Sequence, residues 1–211
     1  MRTSKIISIA LHPIFVPAYT LCLTLYFFQS EAKYIIDISE KTNYFLFLVV
    51  FTIILPVISM LLLLKNKKIS SLELYDKSER GVPILLTLLY MLICFYSLKN
   101  LLTENVANNI VLAEVLGASI TMFAALLISF FWKISLHMMA GGGCLAVVSL
   151  LTINSDISDD KMCVLLAVVV FLNMILGYCR VLEKAHNKKQ IFIGFLIGFI
   201  ILFFIVGREL K

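Results

Sequence analysis

Apolar positions in this chain gather into seven long runs separated by short polar stretches. The runs cover roughly residues 7–29, 43–64, 82–99, 108–131, 137–153, 161–179 and 190–207. Most are close to 20 residues long, the length of an α-helix that crosses the hydrocarbon core of a bilayer. A backbone inside lipid must satisfy its own polar groups, so each run is predicted to be helical. The pattern therefore predicts an all-α fold, a polytopic membrane helical bundle of six to seven transmembrane helices. No internal repeat or low-complexity tract divides it, and residues 1–211 read as a single integral membrane domain.

Individual runs differ in character. The first contains His12 beside Pro13, with Pro17 further on, which predicts a kink or only partial insertion. Its apolar stretch outlasts the h-region of a signal peptide, so it reads as a retained segment. The fifth run is short and opens Met138-Met139-Ala140-Gly141-Gly142-Gly143. Three glycines allow close backbone approach, as in a packed inner helix. The last run holds Gly194 and Gly198 in a GxxxG spacing, a packing signal that also leaves a homodimer open. Glu114, at the edge of the fourth run, is expected to be solvated.

Composition agrees with this pattern. Hydrophobic residues make up 61% of the 211 and charged residues 15%, with a mean hydropathy of +1.01. Soluble domains run to roughly 45–50% apolar and about 25% charged. The net charge of +5 sits mainly in loop lysines and implies no nucleic-acid partner. The five cysteines lie in or beside apolar runs without paired spacing and read as small apolar fillers rather than a disulfide framework. Asp156, Asp159 and Asp160 lack a cation-loop spacing and read as a solvated turn.

Crossing parity puts the N-terminus and the loops between runs 2 and 3, 4 and 5, and 6 and 7 on one membrane face. That face carries 12 of the 18 lysines and arginines, among them the Lys65, Lys67 and Lys68 cluster, and the opposite face carries most of the acids. The positive-inside rule would turn the basic face to the cytoplasm of a cell membrane. A phosphate site would enrich the same loops in cations for another reason, so the side on which the site lies stays open.

The chemistry is concentrated on that face. His137 and His186, two of three histidines, fall in its loops or at the helix starts beside them. Ser135 and Lys133 precede His137, Arg180 precedes His186 by six residues, and the third loop supplies Lys77 and Arg80 followed by Pro83. Arginine and lysine neutralise phosphoryl oxygens, helix N-termini favour anions, and two histidines can act as nucleophile and as general acid.

These residues resemble the signatures of the type 2 phosphatidic acid phosphatase (PAP2) superfamily, over a core of about residues 75–207. Ser135-Leu136-His137 resembles the Ser-Gly-His of its second signature. Arg180 to His186 resembles the third, an Arg, five residues, then a His. Lys77 and Arg80 fall where the first signature's Lys and Arg-Pro belong. The departures are a Lys77–Arg80 gap of three, Pro83 three residues after Arg80, Leu136 in place of glycine, and Gln190 where the family has Asp.

The resemblance implies a lipid phosphatase that hydrolyses a lipid phosphate or diphosphate through a phosphohistidine. His186 would be the nucleophile and His137 the general acid. Arg80, Arg180 and Ser135 would bind phosphate with Lys77 or Lys133, and Gln190 would orient His186. No metal and no cofactor are implied, and the expected partners are the lipid phosphate substrate and membrane lipids. Two other readings compete. One is a catalytically impaired relative that binds lipid phosphate, suggested by Leu136 and Gln190. The other is a small membrane transporter, suggested by the Pro-bearing and Gly-rich helices.

Overall fold

The computed structural model describes residues 3–27, 38–74, 76–101, 106–154 and 159–210. All of the regular structure among them is helical. The helices are α1 (Thr3–Ala10), α2 (Val16–Cys22), α3 (Ile38–Val49), α4 (Leu55–Lys65), α5 (Gly81–Leu101), α6 (Val106–Phe131), α7 (Leu136–Ile153), α8 (Asp159–Leu182) and α9 (Lys188–Glu209). A π-helical stretch, Val50–Ile54, joins α3 to α4 into one rod. Pro56 follows it, and its missing N–H and ring would disturb regular α-helical bonding there.

Among the described residues, six stretches are long and apolar enough to cross a bilayer: Thr42–Lys65, Lys77–Asn100, Asn109–Phe131, Leu136–Ile153, Asp160–Leu182 and Lys188–Glu209. The protein is thus an all-α polytopic bundle at the lower number predicted. The first apolar run is not a single span. It breaks after Ala10, turns through Leu11–Phe15, and resumes as α2 with a π-helical extension, Leu23–Phe27. Pro13 disfavours helical geometry at His12, so the break falls there.

Helix α7 is the centre of the bundle. His137, Met138, Met139, Gly141, Gly142, Gly143 and the Ala146–Val148 stretch are all buried, as predicted for a packed inner helix. Its main partner is α9. A Cβ on Gly142 would lie 2.1 Å from the Phe195 carbonyl oxygen, and one on Gly198 would collide with the Met139 carbonyl. The Gly194 and Gly198 spacing therefore packs α9 against α7 within the chain. Three apolar clusters complete the core, one among α2, α3, α5 and α6, a second among α6, α7, α8 and α9, and a small third of Ala125, Ile134 and Met139 beside the α6–α7 loop.

At one end of the bundle the three loops predicted to share a face meet the N-terminal helix. Arg80 Nη1 donates to the Ile134 carbonyl at 2.9 Å, tying the α4–α5 loop to the α6–α7 loop. Ser8 Oγ donates to the Glu183 carboxylate at 3.1 Å, tying α1 to the α8–α9 loop. Lys5 pairs with Glu73 at 3.1 Å on the partly exposed surface.

Candidate active site

A cavity of about 160 Å³ opens among α2, α5, α6, α7 and α8 beneath these loops. Its polar end is lined by His12, Glu73, Arg80, His137, Arg180 and His186. The remainder is mostly apolar and runs along α6 from Ala125 to Glu114. That is about 16 Å of helix at 1.5 Å per residue, close to the thickness of one leaflet's hydrocarbon. Arg80, His137, Arg180 and His186 are each no more than 8% exposed, although they come from three separate parts of the chain.

Local backbone chemistry explains why Arg180 and His186 meet. The chain leaves α8 through Lys184, whose φ of 53° is left-handed, a conformation more often given to glycine at a helix end. The turn returns Ala185 N–H and His186 N–H to the Arg180 carbonyl, at 3.2 and 3.4 Å. A spacing of six residues thus becomes a single C-terminal turn. Next, Asn187 caps α9: its side chain accepts from Gln190 N–H at 2.9 Å, and Gln190 Oε1 accepts from Asn187 N–H at 3.1 Å.

This second bond settles the state of His186. Its Nδ1 lies 3.2 Å from Gln190 Oε1, which accepts and cannot donate. Nδ1 therefore carries the proton, and in the neutral ring Nε2 carries the lone pair. Burial, reinforced by the charges of Arg80, Arg180 and Lys133, pushes the His186 pKa down from 6.5 to about 3, against the opposing effect of Gln190. A neutral imidazole with a free lone pair is the form a nucleophile requires.

His137 is held the other way round. Its Nε2 donates to the Ser8 carbonyl at 3.1 Å, which leaves the lone pair of the neutral ring on Nδ1. The carbonyl fixes the ring's tautomer and orientation. Arg180 Nη1 donates to Glu183 Oε2 at 2.8 Å in a largely buried pair. Arg80 is held by two neutral acceptors, with Nε donating to the Leu74 carbonyl at 3.0 Å and Nη1 to Ile134, so neither bond cancels its charge. Among the described residues, five buried side-chain atoms have no hydrogen-bond partner, on Ser71, Ser129, Ser135, Asn173 and Arg180, and of these residues Arg180, through its Nε, lines the cavity. Buried polar atoms usually have partners, and Arg180 Nε is free to donate to a ligand that supplies an acceptor.

The other predicted site residues divide. Ser135 is fully buried at the N-cap of α7, although it does not line the cavity. Lys133 is half-buried and near enough that Arg80 and Arg180 help burial lower its pKa. Lys77 is exposed on a 3-10 turn and does not line the cavity, so of the two lysines Lys133 is the one near the site. Gln190 stands against His186 as expected.

Four site residues were not found from the sequence. His12, read as a kink, lies with its ring centroid 5.0 Å from that of His137. Ser8 and Glu73 gave no signal. Glu183 stands three residues after Arg180, a readable helical pair that was passed over. Glu114, expected to be solvated, is instead buried, and its carboxylate accepts from Thr24 Oγ1 at 2.5 Å. The reason is that the π-helical extension of α2 descends beside α6 and covers it. Asp156 lies outside the described residues, as does the side chain of Asp159.

Comparison with known proteins gives no match: no family model, no curated protein and no solved structure is similar to this chain.

Proposed function

We propose that this protein is a metal-independent membrane lipid phosphatase, acting on a lipid phosphate or diphosphate through a phosphohistidine on His186. The observation that carries the reading is the gathering of two buried arginines and two oppositely oriented histidines at the polar end of an otherwise apolar cavity. Arg180 is paired with Glu183, whereas the two hydrogen bonds of Arg80 go to neutral carbonyls and leave its charge available to an anion. An apolar cavity one leaflet deep suits an anion that carries a hydrocarbon tail.

In the mechanism, His186 Nε2 attacks phosphorus while the P–O bond to the leaving group breaks. His137, protonated at Nδ1 when the anion is bound, gives that proton to the departing oxygen. Arg80 and Arg180 stabilise charge on the equatorial oxygens. Water then attacks the phosphohistidine, His137 takes its proton, and inorganic phosphate leaves with His186 restored.

Trapping tests this directly. Protein incubated with phosphorus-labelled lipid phosphate and quenched in alkali should retain label on wild type and none on His186→Ala, and His137→Ala should gain and lose its label more slowly than wild type. Label on His186→Ala would overturn the assignment. A reading as a lipid-phosphate binder without turnover draws on the neutral Gln190 and on the Arg180–Glu183 pair. Saturable lipid-phosphate binding with neither label nor released phosphate would favour it.

A further inference from the structure

We infer that His12, brought in by the break between α1 and α2, is a third histidine of the phosphate site and donates its Nε2–H to a phosphoryl oxygen as a neutral imidazole. The inference rests on the phosphate reading and adds to it a residue that none of the three signatures contains.

Position is the first argument. His12 lines the polar end of the cavity with Arg80, Arg180, His137 and His186. Its ring meets that of His137 nearly edge to face, with 81° between the planes.

Hydrogen bonding is the second. Ile14 N–H donates to His12 Nδ1 at 3.3 Å. A main-chain N–H can only donate, so Nδ1 holds the lone pair and the ring proton of the neutral form is on Nε2. Protonating Nδ1 would forfeit that bond and add a positive charge in a cavity end that already holds Arg180. His12 therefore stays neutral and keeps one fixed donor. His137 has the opposite arrangement, with Nε2 spent on the Ser8 carbonyl and Nδ1 left to exchange protons. His186 offers a lone pair at Nε2. The three rings thus divide the work: His186 attacks, His137 moves the proton, and His12 holds an oxygen without changing charge.

The backbone supplies the third argument. Phe15 N–H bonds the His12 carbonyl at 2.9 Å, closing the turn that carries the ring. Pro13 keeps residue 12 out of helical geometry, and without the break the ring would follow α1 instead of facing His137.

The bland alternative is that His12 only packs the break. Two substitutions separate the readings. His12→Gln keeps a side-chain N–H donor, whereas His12→Phe keeps an aromatic ring and has none. Orthophosphate binding to the full chain in detergent is the measurement. A hydrogen bond to a charged acceptor is worth enough that His12→Phe should weaken binding by about tenfold to a hundredfold, with His12→Gln close to wild type. Nitrogen-15 histidine spectra of the wild type give a second readout that requires no folded variant other than His12→Gln. The ring signals absent from His12→Gln should report an Nε2–H tautomer and should move when orthophosphate is added.

Binding unchanged in His12→Phe overturns the inference. So does an equal loss in both variants with His12 signals unmoved by phosphate, which is the signature of packing alone. Wild-type protein that binds no orthophosphate overturns the phosphate reading and this inference with it. Wild-type binding that survives His12→Phe removes only the inference.

Discussion

Gln190 performs two tasks with one oxygen, closing the capping box of α9 and fixing the tautomer of His186. A charged acceptor would favour the imidazolium, whereas the neutral amide leaves a neutral imidazole, the form that the proposed attack by His186 requires. Gln190→Leu removes both bonds and is expected to cost about 1 kcal/mol in thermal stability through the lost cap and about tenfold to a hundredfold in kcat/KM through the disoriented ring. Gln190→Glu keeps both acceptors and should retain the stability. His186 also leaves a mark on the pH dependence of folding. Its pKa falls from 6.5 to about 3 on folding, so between these values the unfolded chain binds a proton that the folded chain does not. The stability it contributes is present above pH 6.5 and is lost as pH falls through about 3. The thermal midpoint of wild type should drop over that window, and His186→Asn should flatten the drop.

Among the elements, the α7–α9 pair carries the site's precision, because the loop before α7 holds Ser135 and the one before α9 holds His186. Their contact is backbone to backbone at Gly142 and Gly198. Gly198→Ala forces the helices apart and is expected to cost about 1–3 kcal/mol, with a loss of activity, since overpacking moves the helix ends that bear the site. Gly81→Ala, with nothing within 4 Å of its Cβ, should leave the thermal midpoint within a degree or two of wild type. The six long spans were legible because bilayer thickness imposes a length that hydropathy reports directly. The triple glycine announced an inner helix for the same kind of physical reason. The half-length α2 and the covering of Glu114 were not legible, because hydropathy says how deep a residue lies and nothing of which neighbour covers it.

At the scale of the whole molecule, parity of crossings was enough to gather Arg80, His137, Arg180 and His186, since an even number of spans returns the chain to the same face. Distance within that face was not readable: the sequence left Lys77 and Lys133 as alternatives, of which Lys77 is exposed, and it gave no role to His12 and Glu183, which reach the site through the break in the first segment and the turn after α8. The fold thus joins a basic, buried end to an apolar interior about a leaflet deep, and the proposed substrate, with an anionic head and a hydrocarbon tail, is drawn from that arrangement. The central claim is that His186 turns this arrangement into catalysis. Its most direct test is phosphate release by purified full-length protein in detergent with EDTA present, against a panel of lipid phosphates and diphosphates, comparing wild type with His186→Ala. The expected result is release by the wild type that survives EDTA and falls to background in His186→Ala. Release that His186→Ala leaves intact, or no release from any lipid by the wild type, would contradict the claim.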